Sequence, residues 1–353
     1  MIGSRVTPEI DFLGDFGCLH ASLAVRHGSP DSGNQLRPTQ EDVCSACLAT
    51  HIGDAWFLIH DGAAHCFFCT SPPPNADWHW DIGHAVSRDL VHWEYAGLAL
   101  ERGTGASWDS QTLSTGSVLR WDGRFWMAYS ALRQGENPPT RKVHRVGLAV
   151  SADLHTWTKY EDNPVNERDP GLYERLGPVH KAFGQWRDPF LYAENDRIYQ
   201  YVCARSKSND RDRRGTVGLV TSQDMRTWKV GEPLQVDPIA TELEVPQVYE
   251  IRGRYYLVFC TTPQRLLPLF KRRFPKHRFR RGDYSMVGDS PLGPFRMHDS
   301  GEILPEEWPV QPYASRLVRW GNEWVMLGTV AEGNQSICDP IPVTVTDTGI
   351  RAQ

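Results

Sequence analysis

Residues 146–157 read VGLAVSADLHTW, and the same pattern stands twice more, as IGHAVSRDLVHW at 82–93 and VGLVTSQDMRTW at 217–228. Each reads as an apolar strand, a Ser-x-Asp turn and a Trp that opens an outer strand. Asp289–Phe295, DSPLGPF, is a looser fourth copy. Upstream of each copy lies another repeat, a turn followed by an aromatic-rich strand. Its five members are DGAAHCFFC from Asp61, DGRFWMAYS from Asp122, NDRIYQYVC from Asn195, RGRYYLVFC from Arg252 and GNEWVMLGT from Gly321. Eight residues after each anchor stand Cys69, Ser130, Cys203, Cys260 and Thr329, all small, as close packing of sheets requires. Five units, each a strand, turn, strand, long loop, strand, turn and outer strand, predict an all-β five-bladed β-propeller of four-stranded antiparallel blades. The fifth unit looks incomplete, ending soon after IPVTVTD at 341–347. Residues 1–50 are expected to pack on the propeller as an N-terminal extension that completes or covers that blade, leaving 51–353 as the catalytic domain.

Composition narrows the function classes. With 23% charged and 40% hydrophobic residues, the 353-residue chain is an ordinary globular one, and its net charge of -5 gives no reason to expect nucleic acid or membrane as partner. No apolar run reaches transmembrane length, and the first sixteen residues have no signal-peptide core, which points to the cytoplasm. Eight cysteines include Cys44-x-x-Cys47 and Cys66-x-x-Cys69, a zinc-like spacing. Cys66 and Cys69 share a strand and so point to opposite faces, and Cys69 is one of the repeated small residues. Cys18, His20, Cys44 and Cys47 are the conceivable metal set, with reduced structural thiols the expected state. No phosphate-binding glycine pattern is present, and no metal or cofactor is expected.

The inner strand of each blade precedes its anchor, and its first residue should face the central channel. Seven residues before the anchors come Asp54, Thr115, Asp188 and Ala314, and in the fourth blade Glu244 stands eight before. Three carboxylates at one mouth raise one another's pKa, which suits one as general acid and another as base or nucleophile. Glu242, on the same strand face as Glu244, is the reserve acid. GHAVSRDLVHWE, TGSV at 115–118, RDP at 187–189 and EVP at 244–246 resemble glycoside hydrolase family 32, the β-fructofuranosidases and invertases, which share their propeller with family 43. The resemblance covers roughly residues 52–345 and implies Asp54 as nucleophile, Asp188 as transition-state stabiliser and Glu244 as general acid/base. The family's Asn-Asp-Pro-Asn-Gly reads Gly53-Asp54-Ala55-Trp56-Phe57 here, and its Glu-Cys-Pro-Asp reads Glu244-Val245-Pro246-Gln247.

Sugar-binding candidates are Trp56, Trp80, His84, Thr115, Arg187 and Gln247, with Asp109 and Gln111 also within reach of the channel. His84 breaks an apolar register held by Leu148 and Leu219. The loops between second and third strands should lie on the catalytic side, and in blades 2 to 4 they carry 17 basic and 4 acidic residues. That excess suggests an anionic substrate gripped by arginine, or an oligomer contact. The expected function is a glycoside hydrolase acting on a small oligosaccharide or glycoside. The alternatives are an inverting arabinosidase or xylosidase and a catalytically inactive sugar-binding propeller.

Overall fold

The computed structural model describes residues 52–71, 79–136, 142–174, 185–207, 214–305, 308, 311–330 and 336–353. The N-terminal extension and the Cys18–Cys47 metal set lie outside the described residues. In the first blade β1 (Ala55–His60), β2 (Ala63–Thr70), β3 (Asp81–Ser87) and β4 (Glu94–Leu100) pair in chain order, all antiparallel. The second repeats this with β5 (Thr112–Trp121), β6 (Arg124–Leu132), β7 (Arg145–Ser151) and β8 (Trp157–Lys159). The third has β9 (Trp186–Glu194), β10 (Arg197–Arg205), β11 (Gly215–Ser222) and β12 (Lys229–Val230). The fourth has β13 (Glu244–Ile251), β14 (Arg254–Thr261) and β15 (Gly282–Gly288), with isolated Val287–Arg296 and Tyr284–Glu302 bridges in place of a full outer strand; the short helix α1 (Pro268–Lys271) lies in its β14–β15 loop. In the fifth, β16 (Tyr313–Trp320) and β17 (Glu323–Val330) are followed by β18 (Ser336–Ile337), β19 (Ile341–Thr346) and β20 (Gly349–Ala352).

The fifth blade corrects one expectation. Its outer strands are β19 and β20, so IPVTVTD is the first arm of a hairpin that completes the sheet from the C-terminal residues. The inner strands close a ring: β1 contacts β5 and β16, β5 contacts β9, β9 contacts β13, and β13 contacts β16. Between blades the aromatic strands of the repeat fill the core, with Phe67, Tyr129, Tyr201, Phe259 and Met326 all buried.

The Ser-x-Asp repeat is explained atom by atom. In blade 2, Ser151 Oγ donates to Asp153 Oδ1 at 3.0 Å, and that oxygen accepts the backbone N–H groups of His155 and Thr156 at 2.8 and 2.7 Å. Ser87–Asp89 and Ser222–Asp224 make the same bonds. The turn forces Leu90, Leu154 and Met225 to positive φ (68°, 67° and 61°), and their side chains are buried in return. Asp153→Ala leaves two turn N–H groups without their acceptor, and we expect Tm to fall by about 2–4 °C by calorimetry.

Candidate active site

The ladders identify which residues share one level of the channel mouth. Ser114 faces Ser130, Arg187 faces Cys203, Glu244 faces Cys260 and Tyr313 faces Thr329. The repeated small residues are therefore those directly opposite the site, and Cys69, Ser130, Cys203 and Cys260 are fully buried there. In each of these strands the register then slips by a bulge, and the next residue is left-handed in three: Asp188 at φ 60°, Val245 at 51° and Ala314 at 55°. A bulge sets two residues against one and re-aims them, which lets Arg187 and Asp188 both reach the mouth. This shift corrects the sequence register. Val245 holds the place equivalent to Asp188, and Glu244 stands one level away, beside Arg187 and Tyr313.

Neighbouring blades then grip each carboxylate. Thr115 donates its hydroxyl to Asp54 Oδ2 at 2.6 Å, and the Val245 N–H donates to Asp188 Oδ2 at 3.1 Å. Glu244 is held from both sides, by Arg187 Nη2 on Oε1 at 2.6 Å and by the Tyr313 hydroxyl on Oε2. Arg265 Nη1 adds a contact to Oε2 at 2.5 Å. Arg187 also reaches Glu242 at 3.1 Å and Asp188 at 3.5 Å, so one guanidinium joins three acids. Glu242 is buried too, bonded by Gln185 Nε2 at 2.7 Å. The backbone of Arg265 is fixed by Thr241 N–H on its carbonyl at 2.9 Å.

This arrangement separates the acids electrically. Burial pushes the Asp54 carboxyl above its ordinary value; the Thr115 bond opposes this and the Glu244 charge adds to it. Burial likewise raises Asp188 to about 6, with Arg187 pulling against it and Asp54 and Glu244 adding to the rise. Burial also opposes ionisation of Glu244, but Arg187, Arg265 and the Tyr313 hydroxyl outweigh it and hold that carboxyl below its ordinary value. Glu244 is thus the acid whose ionised form the site favours, and Asp54 and Asp188 are the two whose ionisation burial opposes.

The structure sorts the expected sugar contacts. Thr115 and Arg187 stand at the mouth, and Trp80 lies on that side, its backbone bonded to Thr112 Oγ1 and the Leu113 N–H at the start of β5. Trp56 is 1% exposed and packs with Phe67 in the core between blades 1 and 2, so its face is closed to a ligand. His84 is buried in β3, parallel to Phe67 at 4.6 Å and bonded to His65 at 3.0 Å; burial and its histidine neighbours push it down to about 3. Gln247 is 1% exposed and spends its amide on the Val245 and Ser315 carbonyls and the Tyr249 hydroxyl. These three hold the propeller together. Asp109 is buried against Lys159 at 2.5 Å, a structural pair. The sequence reading does not single out Tyr313, and reaches Arg265 only as one of the basic residues of the blade 4 loop, 263–283. Counting eight residues back from every anchor, as for Glu244, returns Arg187 and Tyr313 at once.

The basic loops also divide. Arg133 and Arg145 are paired with Glu136, and Arg145 also with Glu167; Arg205 and Arg214 share Glu174. Glu167 and Glu174 lie outside the counted loops, so blades 2 and 3 carry less free charge than the sequence count implied. In blade 4, Arg265 reaches the site, and exposed Arg281 stacks 3.9 Å over the Tyr313 ring.

The structure is of the class of five-bladed propellers, with buried acids gripped by arginines at one channel mouth. The particular family follows from comparison: the model for "Glycosyl hydrolases family 32 N-terminal domain" matches residues 55–304, and the chain belongs to that family. It is 29% identical over 172 residues to beta-fructofuranosidase 1 of Zea mays, covering 47% of this chain and 24% of that one. It is 26% identical over 219 residues to sucrose-6-phosphate hydrolase of Zymomonas mobilis, covering 59% and 40%. The chain thus spans well under half the length of these relatives. Among solved structures, inulosucrase from Halalkalicoccus jeotgali superposes with a TM-score of 0.70 at 22% identity, covering 90% of this chain and 89% of that one. Levansucrase of Bacillus subtilis gives 0.69 at 15% identity, covering 88% and 87%; both show the shared fold.

Proposed function

We propose that this protein is a glycoside hydrolase that cleaves a β-fructofuranosidic bond of a small sugar such as sucrose. The observation that carries it is the convergence of Asp54, Asp188 and Glu244 on one mouth, in a chain of this family. Thr115 occupies Asp54 Oδ2, leaving Oδ1 to attack the anomeric carbon. As that bond forms and the glycosidic C–O bond breaks, Glu244 gives its proton to the departing oxygen. Water then attacks the fructosyl ester, Glu244 takes its proton, and the Asp54 carboxylate is released. Asp188 lies beside both and accepts sugar hydroxyls. Because Arg187, Arg265 and Tyr313 hold Glu244 below its ordinary value, the protonated Glu244 that reacts is the minority form at neutral pH. The pH limbs therefore belong to the coupled group as a whole. Assay of sucrose, fructans, arabinosides and xylosides tests the reading. Fructose release supports it; pentose release, or sugar binding without turnover of any of them, contradicts it.

The placement of Arg281 and Arg265 favours an anionic substrate within this class. Arg281 is exposed and stands over Tyr313, whose hydroxyl touches Glu244, so a phosphate on the leaving sugar would meet a guanidinium there. Sucrose 6-phosphate should show a higher kcat/KM than sucrose at low salt, and Arg281→Ala should reduce that preference about tenfold, mainly through KM. Equal kcat/KM for the two sugars in the wild type would remove the clamp.

A further inference from the structure

One arginine crosses the channel next to the carboxylates. Arg316 leaves the inner strand β16 three residues after Tyr313 and is 2% exposed. Its Nη2 donates to the Gly116 carbonyl of blade 2 at 2.9 Å, and its Nε to the Ala55 carbonyl of blade 1 at 3.4 Å. The last blade is thereby tied to the first two through a side chain. Both carbonyls adjoin the proposed nucleophile. Ala55 follows Asp54, and Gly116 follows Thr115, whose hydroxyl holds Asp54. Glycine at 116 answers to the neighbouring strand and ring: a Cβ there would lie 2.2 Å from the Ala128 carbonyl oxygen and 3.3 Å from the Trp56 ring. On the other side Ser315 is anchored to the buried Asp283 through its N–H at 3.1 Å and its hydroxyl at 2.6 Å, which fixes the strand from which Arg316 projects.

The bonds of Arg316 go to neutral carbonyls. Among the described residues Nη1 has no hydrogen-bond partner, and no ion pair cancels the charge. A buried guanidinium of this kind acts on its surroundings through its field as well as through its grip.

We propose that Arg316 is a positioning residue for Asp54: it fixes the two backbone segments that carry Asp54 and Thr115, and supplies an uncancelled positive charge that favours the ionised nucleophile. The assignment rests on the reading of Asp54 as nucleophile. Every charged or titratable group nearby enters the balance. At Asp54, burial is the largest influence and raises the carboxyl; the Thr115 bond lowers it, Glu244 raises it, and Arg316 and Arg187 lower it, with Cys69 and Asp188 alongside. Facing Arg316 are Tyr249, Asp54, Asp188, Cys260 and Asp283. Removing the Arg316 charge therefore moves Asp54 further up. Since attack needs the ionised form, the pH profile of kcat/KM, which belongs to the coupled acids, moves to higher pH with it.

The experiment compares Arg316→Gln and Arg316→Met, which remove the charge, with Arg316→Lys, which keeps it. Two readouts are taken: the pH profile of kcat/KM on sucrose, and the titration of the Asp54 carboxyl carbon by 13C NMR, assigned through Asp54→Asn. The neutral variants should move both upward by about one pH unit, while Arg316→Lys stays near the wild type. A purely structural arginine would lower Tm in all three and leave the titration where it was. An unmoved Asp54 titration in the neutral variants overturns the inference. The NMR arm needs no turnover, so a wild type inactive on sugars would overturn the functional reading and leave this test intact.

Discussion

Asp54→Asn and Glu244→Gln should each lower kcat on the protein's sugar substrate by about 10³-fold or more, and they should move stability in opposite directions. Asp54 titrates above its ordinary value in the fold. Its stabilising contribution is therefore complete in acid and is lost as pH rises through the folded value, so at pH 7 burial of this carboxyl works against folding. The neutral amide removes that penalty and can still accept the Thr115 hydroxyl, so Tm at pH 7 should hold or rise. Glu244 is held below its ordinary value of 4.5. Its contribution is present above that value and lost as pH falls through the folded one. Glu244→Gln should therefore lower Tm at pH 7, with the loss shrinking toward pH 4. Calorimetry of both variants at the two pH values, beside steady-state kinetics, checks the pair. Equal Tm changes of the same sign would mean that the acids are not divided as described.

The second large effect belongs to Arg187. Its guanidinium meets Glu244 at 2.6 Å, Glu242 at 3.1 Å and Asp188 at 3.5 Å, with a side chain only 16% exposed. Arg187→Leu leaves three acids without that cation, and removing one partner of a buried ionic group costs about 3–5 kcal/mol. Without the cation Glu244 and Asp188 both titrate higher, so the penalty should be largest at neutral pH and diminish as the carboxyls protonate. Urea unfolding at pH 7 and pH 4.5 measures it. A loss of the same size at both values would show that packing, not charge, is what Arg187 contributes.

The blades were legible because their repeats are chemical. Ser-x-Asp-Leu/Met is a hydrogen-bonded turn wherever it occurs, and the small residue eight places after each anchor marks the position opposite the channel mouth. The completion of blade 5 was not legible, since β19 and β20 carry none of the repeated motifs. In the site, the acids could be read from their position before the anchors, but the bulge could not. It depends on left-handed backbone at Asp188, Val245 and Ala314; Asp tolerates that conformation, but Val and Ala give no hint of it. For the same reason Tyr313 was passed over in favour of Ala314. Trp56 and His84 misled because an aromatic or polar residue near a mouth looks the same in sequence whether it faces the channel or the neighbouring blade. The loop charges misled in magnitude, because Glu167 and Glu174 reach them from segments distant in the chain.

The role of Asp54 is open to direct observation. Glu244→Gln, incubated with a fructoside whose leaving group needs no acid, should form the ester quickly and hydrolyse it slowly, since the base for the second step is gone. Mass spectrometry of the digested protein should then find one hexosyl residue on the peptide containing Asp54. Release of the leaving group by this variant with no adduct at all, or with the adduct on Asp188 or Glu242, would contradict the assignment.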